Sequence, residues 1–202
     1  MAAALFVSVG KTHVHMAGLP WETLERRVSY SCAGFDVVTA DVRLPDGTET
    51  EFDYLTEPES VVVLPFTEYG KVVVVDEWRQ AVERINRGLP AGTVDPADDD
   101  TFAAARRELA EETGYEAGTV SHLTSVEPAN GFADAVFHYF VARECEPTAE
   151  QDLDRDESIA VETTTLDEIV SKAEAGELRD GRTMFGILYY ALFEVSSGLP
   201  SW

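Results

Sequence analysis

Glu108, Glu111 and Glu112 stand at i, i+3 and i+4 in TFAAARRELAEET, residues 101–113. On a helix this spacing puts three carboxylates on one face. Like charges so placed repel one another by roughly a few tenths of a kcal/mol per pair. Lying toward the C-terminal end, they also oppose the helix dipole. A divalent cation removes both conflicts. Hard ions such as Mg²⁺ and Mn²⁺ prefer carboxylate oxygens and sit between protein carboxylates and substrate phosphates. A solvated acidic face accounts for the same spacing, and spacing alone leaves both readings open. Arg107, four residues before Glu111, is placed to pair with it and hold its orientation. At roughly 100° per residue, Phe102, Ala105, Leu109 and Thr113 form the stripe expected to face the core.

The elements that must position this helix follow from pattern. Residues 27–54 read as strands around the turn PDGTE, where proline, aspartate and glycine coincide. SVVVLPF and KVVVVDEW, joined by TEYG, read as a hairpin buried on both faces. TVSHLTSVE, AVFHYFVARE and ESIAVETTTL read as further strands. Helices are expected near 167–175 and 181–195, the last with Phe185, Leu188 and Leu192 at helical spacing. Strands on either side of a helix, with more helices at the end, predict an α/β fold with a mixed sheet between helical layers.

The 202 residues suffice for one good-sized domain with a small appendage, and 45% apolar content supports a real core. No apolar run approaches about 18 residues, so no membrane span is expected. The opening MAAALFVSVGKTHVHMAG lacks a basic n-region, and Met16 is a candidate start, which makes the first residues a flexible leader. Cys32 and Cys145 form no C-x-x-C and read as free thiols in a reducing cytoplasm. The formal net charge is −23 with only three lysines. That repels nucleic acid and suits a halophile's protein, whose self-repulsion salt screens.

RELAEETGY, residues 107–115, resembles the second half of the Nudix box, R-E-U-x-E-E-x-G-U with U aliphatic or aromatic, at every specified position. LPAG at 89–92 is also typical of the box. The first half departs from the pattern. The usual glutamate lies six residues after the glycine and eight before the arginine. Here Asp99 is eight before Arg107 but seven after Gly92, so one residue is inserted in VDPADDD and aspartate replaces glutamate. Asp98, Asp99 and Asp100 are all candidates for the loop acid. The rest of the chain, roughly 27–195, looks most like the ADP-ribose pyrophosphatase and ADP-sugar pyrophosphatase branch.

The resemblance implies a Nudix-type α/β/α sandwich over 59–202, a β-rich dimerisation subdomain over 17–58, and a leader at 1–16. It implies that Glu108, Glu111 and Glu112, with the Ala91 carbonyl, hold Mg²⁺ or Mn²⁺ as substitute. It implies a general base from the loop EQDLDRDES, where Glu157 matches the family's glutamate in position, with Asp156 and Asp154 as alternatives. Arg79 falls where the branch contacts phosphate or nucleotide. Trp21 and Tyr30 are candidates for base stacking, and Phe132 in GFADA for substrate contact. Gly88 and Ala135 stand where the branch often has acids, and Asp134 is a possible substitute for the second. The implied activity is Mg²⁺-dependent hydrolysis of a nucleoside diphosphate linked to another group, most like ADP-ribose, by a cytoplasmic homodimer. The alternatives are another nucleotide substrate or a non-catalytic nucleotide sensor.

Overall fold

The computed structural model describes residues 18–194. The expected leader and the candidate start Met16 lie outside the described residues. The chain divides into two compact units, Met1–Leu55 and Thr56–Trp202.

The first unit carries β1 (Glu22–Ser31), β2 (Asp36–Arg43) and β3 (Glu49–Thr56) in a sheet of order β1-β2-β3. The stretch expected to run as strand from Arg27 begins instead at Glu22 and breaks at Cys32–Phe35, where the Cys32 amide donates to the Phe35 carbonyl at 3.1 Å. Val38, Ala40 and Val42 on the central strand are buried, whereas all ten residues of β1 are exposed. Arg27 reaches from β1 to Asp41 and Glu51, and Arg43 from β2 to Glu22 and Glu49. Each arginine therefore bridges acids from more than one strand of a sheet that carries many like charges.

The second unit contains β4 (Ser60–Thr67), β5 (Val72–Arg79), β6 (Arg84–Gly88), β7 (Ala91–Thr93), α1 (Thr101–Thr113), β8 (Glu116–Val126), β9 (Phe137–Glu146), β10 (Ile159–Thr164), α2 (Leu166–Glu174) and α3 (Gly181–Phe193). The main path of its sheet is β10-β5-β4-β9-β8. β4 and β9 run parallel, and the other pairings along the path are antiparallel, giving the expected mixed sheet.

Alternation along β4 and β9 builds two cores, because successive side chains point to opposite faces. Val61, Val63, Phe140 and Ala142 pack with Ala104, Ala105 and Leu109 of α1. Val62, Leu64, Phe66, Tyr139 and Val141 pack with Ile169 of α2 and with Ile187 and Tyr190 of α3. The α/β/α sandwich is thus written in strands that carry apolar residues on both faces. Leu109 is fully buried, and its truncation to alanine costs about 2–5 kcal/mol.

The hairpin expected from 60–78 opens almost at once. β4 and β5 share one Cα pair, Phe66–Val72. Beyond it β6 pairs with β5 from Val75 to Arg79, and β7 pairs with β4 from Ser60 to Val62. These two short strands, unforeseen in the sequence, place the LPAG segment in the fork.

Candidate active site

α1 is fixed at both ends by local chemistry. The Asp100 carboxylate caps it by accepting from the Ala103 amide at 2.8 Å, and Gly114 closes it at φ 72°. The buried stripe differs from the expected one. Phe102 is 40% exposed, while Glu108 and Glu112 lie buried beside Leu109. The two carboxylates therefore belong to the packed side of the helix.

Their neighbours account for this burial. The Ala91 amide donates to Glu112 Oε2 at 3.0 Å. Burial, with Glu108, Glu157 and Glu77 adding negative charge, pushes the Glu112 carboxyl up to about 8. Burial raises Glu108 as well, against the Arg107 hydrogen bond that lowers it. Gly92 lies directly over Glu108: a Cβ there would stand 2.1 Å from the carboxylate carbon.

Arg107 is the hub. It donates to Glu108 at 2.8 Å, to Glu111 at 2.9 Å, to the Thr93 carbonyl at 2.9 Å and twice to Asp98, at 3.1 and 2.8 Å. The expected Arg107–Glu111 pair is present. Of the three candidate loop acids, Asp98 is the one that engages Arg107 of the box. Asp98 keeps the usual six-residue distance from Gly92, so the inserted residue falls after it, and Asp99 is exposed.

A cavity of about 480 Å³ opens beside α1, lined by Arg79, Ala91, Gly92, Arg107, Glu108, Asp154, Glu157 and Arg182 among others. The structure therefore brings Arg79, Ala91, Arg107, Glu108 and Glu157 together. Glu111 is held on Arg107, and Glu112 lies behind the wall. Gln151 donates to the Glu112 carbonyl at 2.6 Å and the Asp152 amide to the Glu111 carbonyl at 3.0 Å, so the acidic loop is tied to the end of α1. Within that loop Glu157 accepts from the Asp154 amide at 3.0 Å. Asp154 reaches the cavity, whereas Asp156 is exposed and is not part of its lining.

The other expected contacts are placed differently. Phe132 is 61% exposed on a turn and does not line this cavity. Asp134 accepts from Thr56 at 2.6 Å and the Glu57 amide at 3.1 Å, so it is committed to that strand end and does not replace a carboxylate at the buried Ala135. Trp21 and Tyr30 belong to the first unit. Trp21 is half exposed, edge-on to Phe52 at 5.7 Å, and Tyr30 is 59% exposed.

Glu77 was not singled out in the sequence. It is buried, pairs with Arg79 at 2.6 Å, and is raised by that burial. Its place two residues before Arg79, on the same strand face, was the available signal. Arg182 and Asp180 were missed because nothing in a C-terminal helix start announces a distant cavity.

Among the described residues, no three acidic, imidazole or thiol side chains converge on one point as placed. The chemistry of the donors nonetheless fits a hard divalent cation. All are oxygens, two are carboxylates whose burial disfavours their charge, and the glycine above Glu108 leaves the approach open.

The NUDIX domain family matches residues 56–184. An ADP-ribose pyrophosphatase of Bacillus subtilis (strain 168) is 33% identical over 89% of this chain and 97% of its own length. A methanol dehydrogenase activator of Bacillus methanolicus is 32% identical over 76% of this chain and 83% of its own. The crystal structure of an ADP compounds hydrolase superposes with a TM-score of 0.77 at 20% identity, covering 89% of this chain and 97% of that one. The box helix with its arginine hub, the sandwich around it and these likenesses agree: the chain belongs to the NUDIX domain family and is a Nudix hydrolase.

Proposed function

We propose that this enzyme hydrolyses the pyrophosphate bond of a nucleoside diphosphate linked to a second group, with ADP-ribose, cleaved to AMP and ribose 5-phosphate, as its substrate. The observation that carries the reading is the single cavity that gathers Glu108, Glu157 and Arg79 beside the arginine-held box helix. The near full-length likeness to an ADP-ribose pyrophosphatase supports the substrate.

In the reaction a water oxygen bonds to one phosphorus, the bridging P–O bond to that phosphorus breaks, and the bridging oxygen leaves with the other phosphate. Glu108, Glu111 and Glu112, with the Ala91 carbonyl, would hold Mg²⁺ or Mn²⁺, which polarises phosphate oxygens and acidifies water. Glu157 accepts the water's proton as general base. Arg79 binds phosphate through its planar fork. Arg107 fixes Glu111 and Glu108 in orientation.

A related nucleoside diphosphate sugar is the second reading, favoured by the absence of an acid at Gly88 and Ala135. A panel of ADP-ribose, NADH, ADP-glucose and diadenosine polyphosphates, assayed with Mg²⁺ and Mn²⁺ by product chromatography, separates the two. Turnover of none of them would overturn the hydrolytic reading in favour of nucleotide sensing.

The exposed β1, carrying Val28 and Tyr30 each 59% exposed, supports a homodimer built on the first unit. The charge of −23 supports a cytoplasmic, salt-adapted protein. No helix among the described residues is long and apolar enough to cross a membrane.

A further inference from the structure

We propose that Arg182, in the first turn of α3, is a second phosphate-holding residue that works with Arg79 in the cavity. This rests on the reading that the cavity takes a nucleoside diphosphate.

Three arginines line the cavity: Arg79, Arg107 and Arg182. Arg107 has Nε, Nη1 and Nη2 all engaged, by Asp98, Glu108, Glu111 and the Thr93 carbonyl. Arg182 makes one long contact, 3.4 Å to Asp180 in its own turn, and its side chain is 29% exposed. A guanidinium carries five N–H donors in a planar fork that matches two phosphate oxygens at once. Arg182 therefore keeps donors for a ligand that Arg107 does not have. Asp95, Glu108, Asp154 and Glu157 also line this cavity. A phosphate-bearing ligand is repelled by these acids unless cations face it, and beside the metal ion proposed for Glu108, Arg79 and Arg182 are the lining side-chain cations with donors left.

The root of Arg182 is fixed. Asp180 accepts from the Arg182 and Thr183 amides at 2.8 and 3.4 Å, and the fully buried Thr183 hydroxyl accepts from the Leu89 amide at 2.9 Å. The first turn of α3 is thereby locked to the segment leading into Ala91. Glu77 supplies negative charge within reach of both Arg79 and Arg182. The two guanidiniums share one buried counter-charge and enter the cavity from two rigid elements, the end of β5 and the start of α3. Rigid placement lowers the ordering cost of gripping a phosphate.

The test is Arg182→Ala, with Arg182→Gln as a larger, uncharged replacement should the alanine variant fold poorly. Binding of the non-hydrolysable α,β-methylene analogue of ADP-ribose is measured calorimetrically in Mg²⁺, beside KM and kcat on ADP-ribose. The expected result is an affinity loss of about tenfold or more, a parallel rise in KM with a smaller change in kcat, and partial recovery in Arg182→Lys or with added guanidinium ion. A purely structural role would lower Tm and leave the affinity of the folded fraction unchanged, with no rescue by guanidinium. Affinity and KM within twofold of wild type in folded Arg182→Ala or Arg182→Gln would overturn the assignment alone. A wild-type enzyme that neither binds the analogue nor cleaves ADP-ribose would overturn this inference together with the substrate reading.

Discussion

A Cβ at Gly92 would lie 2.1 Å from the carboxylate carbon of Glu108, so the box glycine is the space in which that carboxylate sits. Every atom in the clash is the far end of one side chain, which can swing away. Gly92→Ala should therefore fold, with Tm within about 2 °C of wild type. It should lose about 10–100-fold in metal-dependent turnover, because a displaced ligand is what remains. Equal loss of Tm and activity would show the glycine to be structural instead.

Gly88 has a different neighbourhood. A Cβ there would meet Asp180 Oδ2 and Thr183 Oγ1, both at 3.3 Å. A carboxylate introduced at this buried position would face Asp180. Gly88→Glu should lower stability by about 1–3 kcal/mol, seen as a fall in Tm of about 2–10 °C. An unchanged melting curve would mean that the start of α3 yields easily.

Glu157→Gln should lower kcat by about 10²–10⁴-fold while KM and metal affinity change little. Asp154 lines the same cavity, so near-normal kcat in Glu157→Gln with an inactive Asp154→Asn would move the base to Asp154. Asp156→Asn, on an exposed residue outside that lining, should stay near wild type.

The two thiols should behave differently. Cys145 is buried and its thiol is pushed up to about 11, so at pH 8 it stays neutral and shielded. Cys32 is exposed. Titration with a chromogenic disulfide at pH 8 should find one reactive thiol per native chain and two after unfolding. Two fast-reacting thiols in the native protein would contradict the burial of Cys145.

Thermal stability should rise markedly from low to molar KCl, as salt screens a net charge of −23. Light scattering at high salt should give the dimer mass. A monomer there would remove the proposed role of β1, and a salt-independent Tm would remove the halophile reading.

Legibility from sequence tracked how local each cause is. α1 was readable because its period, its Asp100 cap and its Gly114 stop all lie within one short stretch. The strands β4, β5 and β9 were readable because apolar runs need no partner to be noticed. The stripe of α1 was misjudged at Phe102 because the buried side is rotated toward Glu108 and Glu112, which lie with Leu109. β6 and β7 were invisible: RINRG and AGT carry little apolar pattern and become strands through backbone pairing with β5 and β4. Asp98 could not be told from Asp99 and Asp100 because spacing does not say on which side of it the inserted residue falls. Glu77 and Arg182 acquire meaning only through tertiary neighbours.

The forked hairpin has a kinetic consequence. Once β4 and β5 part, β4 completes its pairing with β9, where Ser60 meets Phe137, and β5 with β10, where Val75 meets Val161. Such distant partners make for slow folding, because the long intervening loops must close first. Ala91, Glu108 and Glu157 come from segments that these closures bring together. The chain therefore has no site to offer an ion until most of its topology exists, and Mg²⁺ should slow unfolding while leaving the refolding rate unchanged.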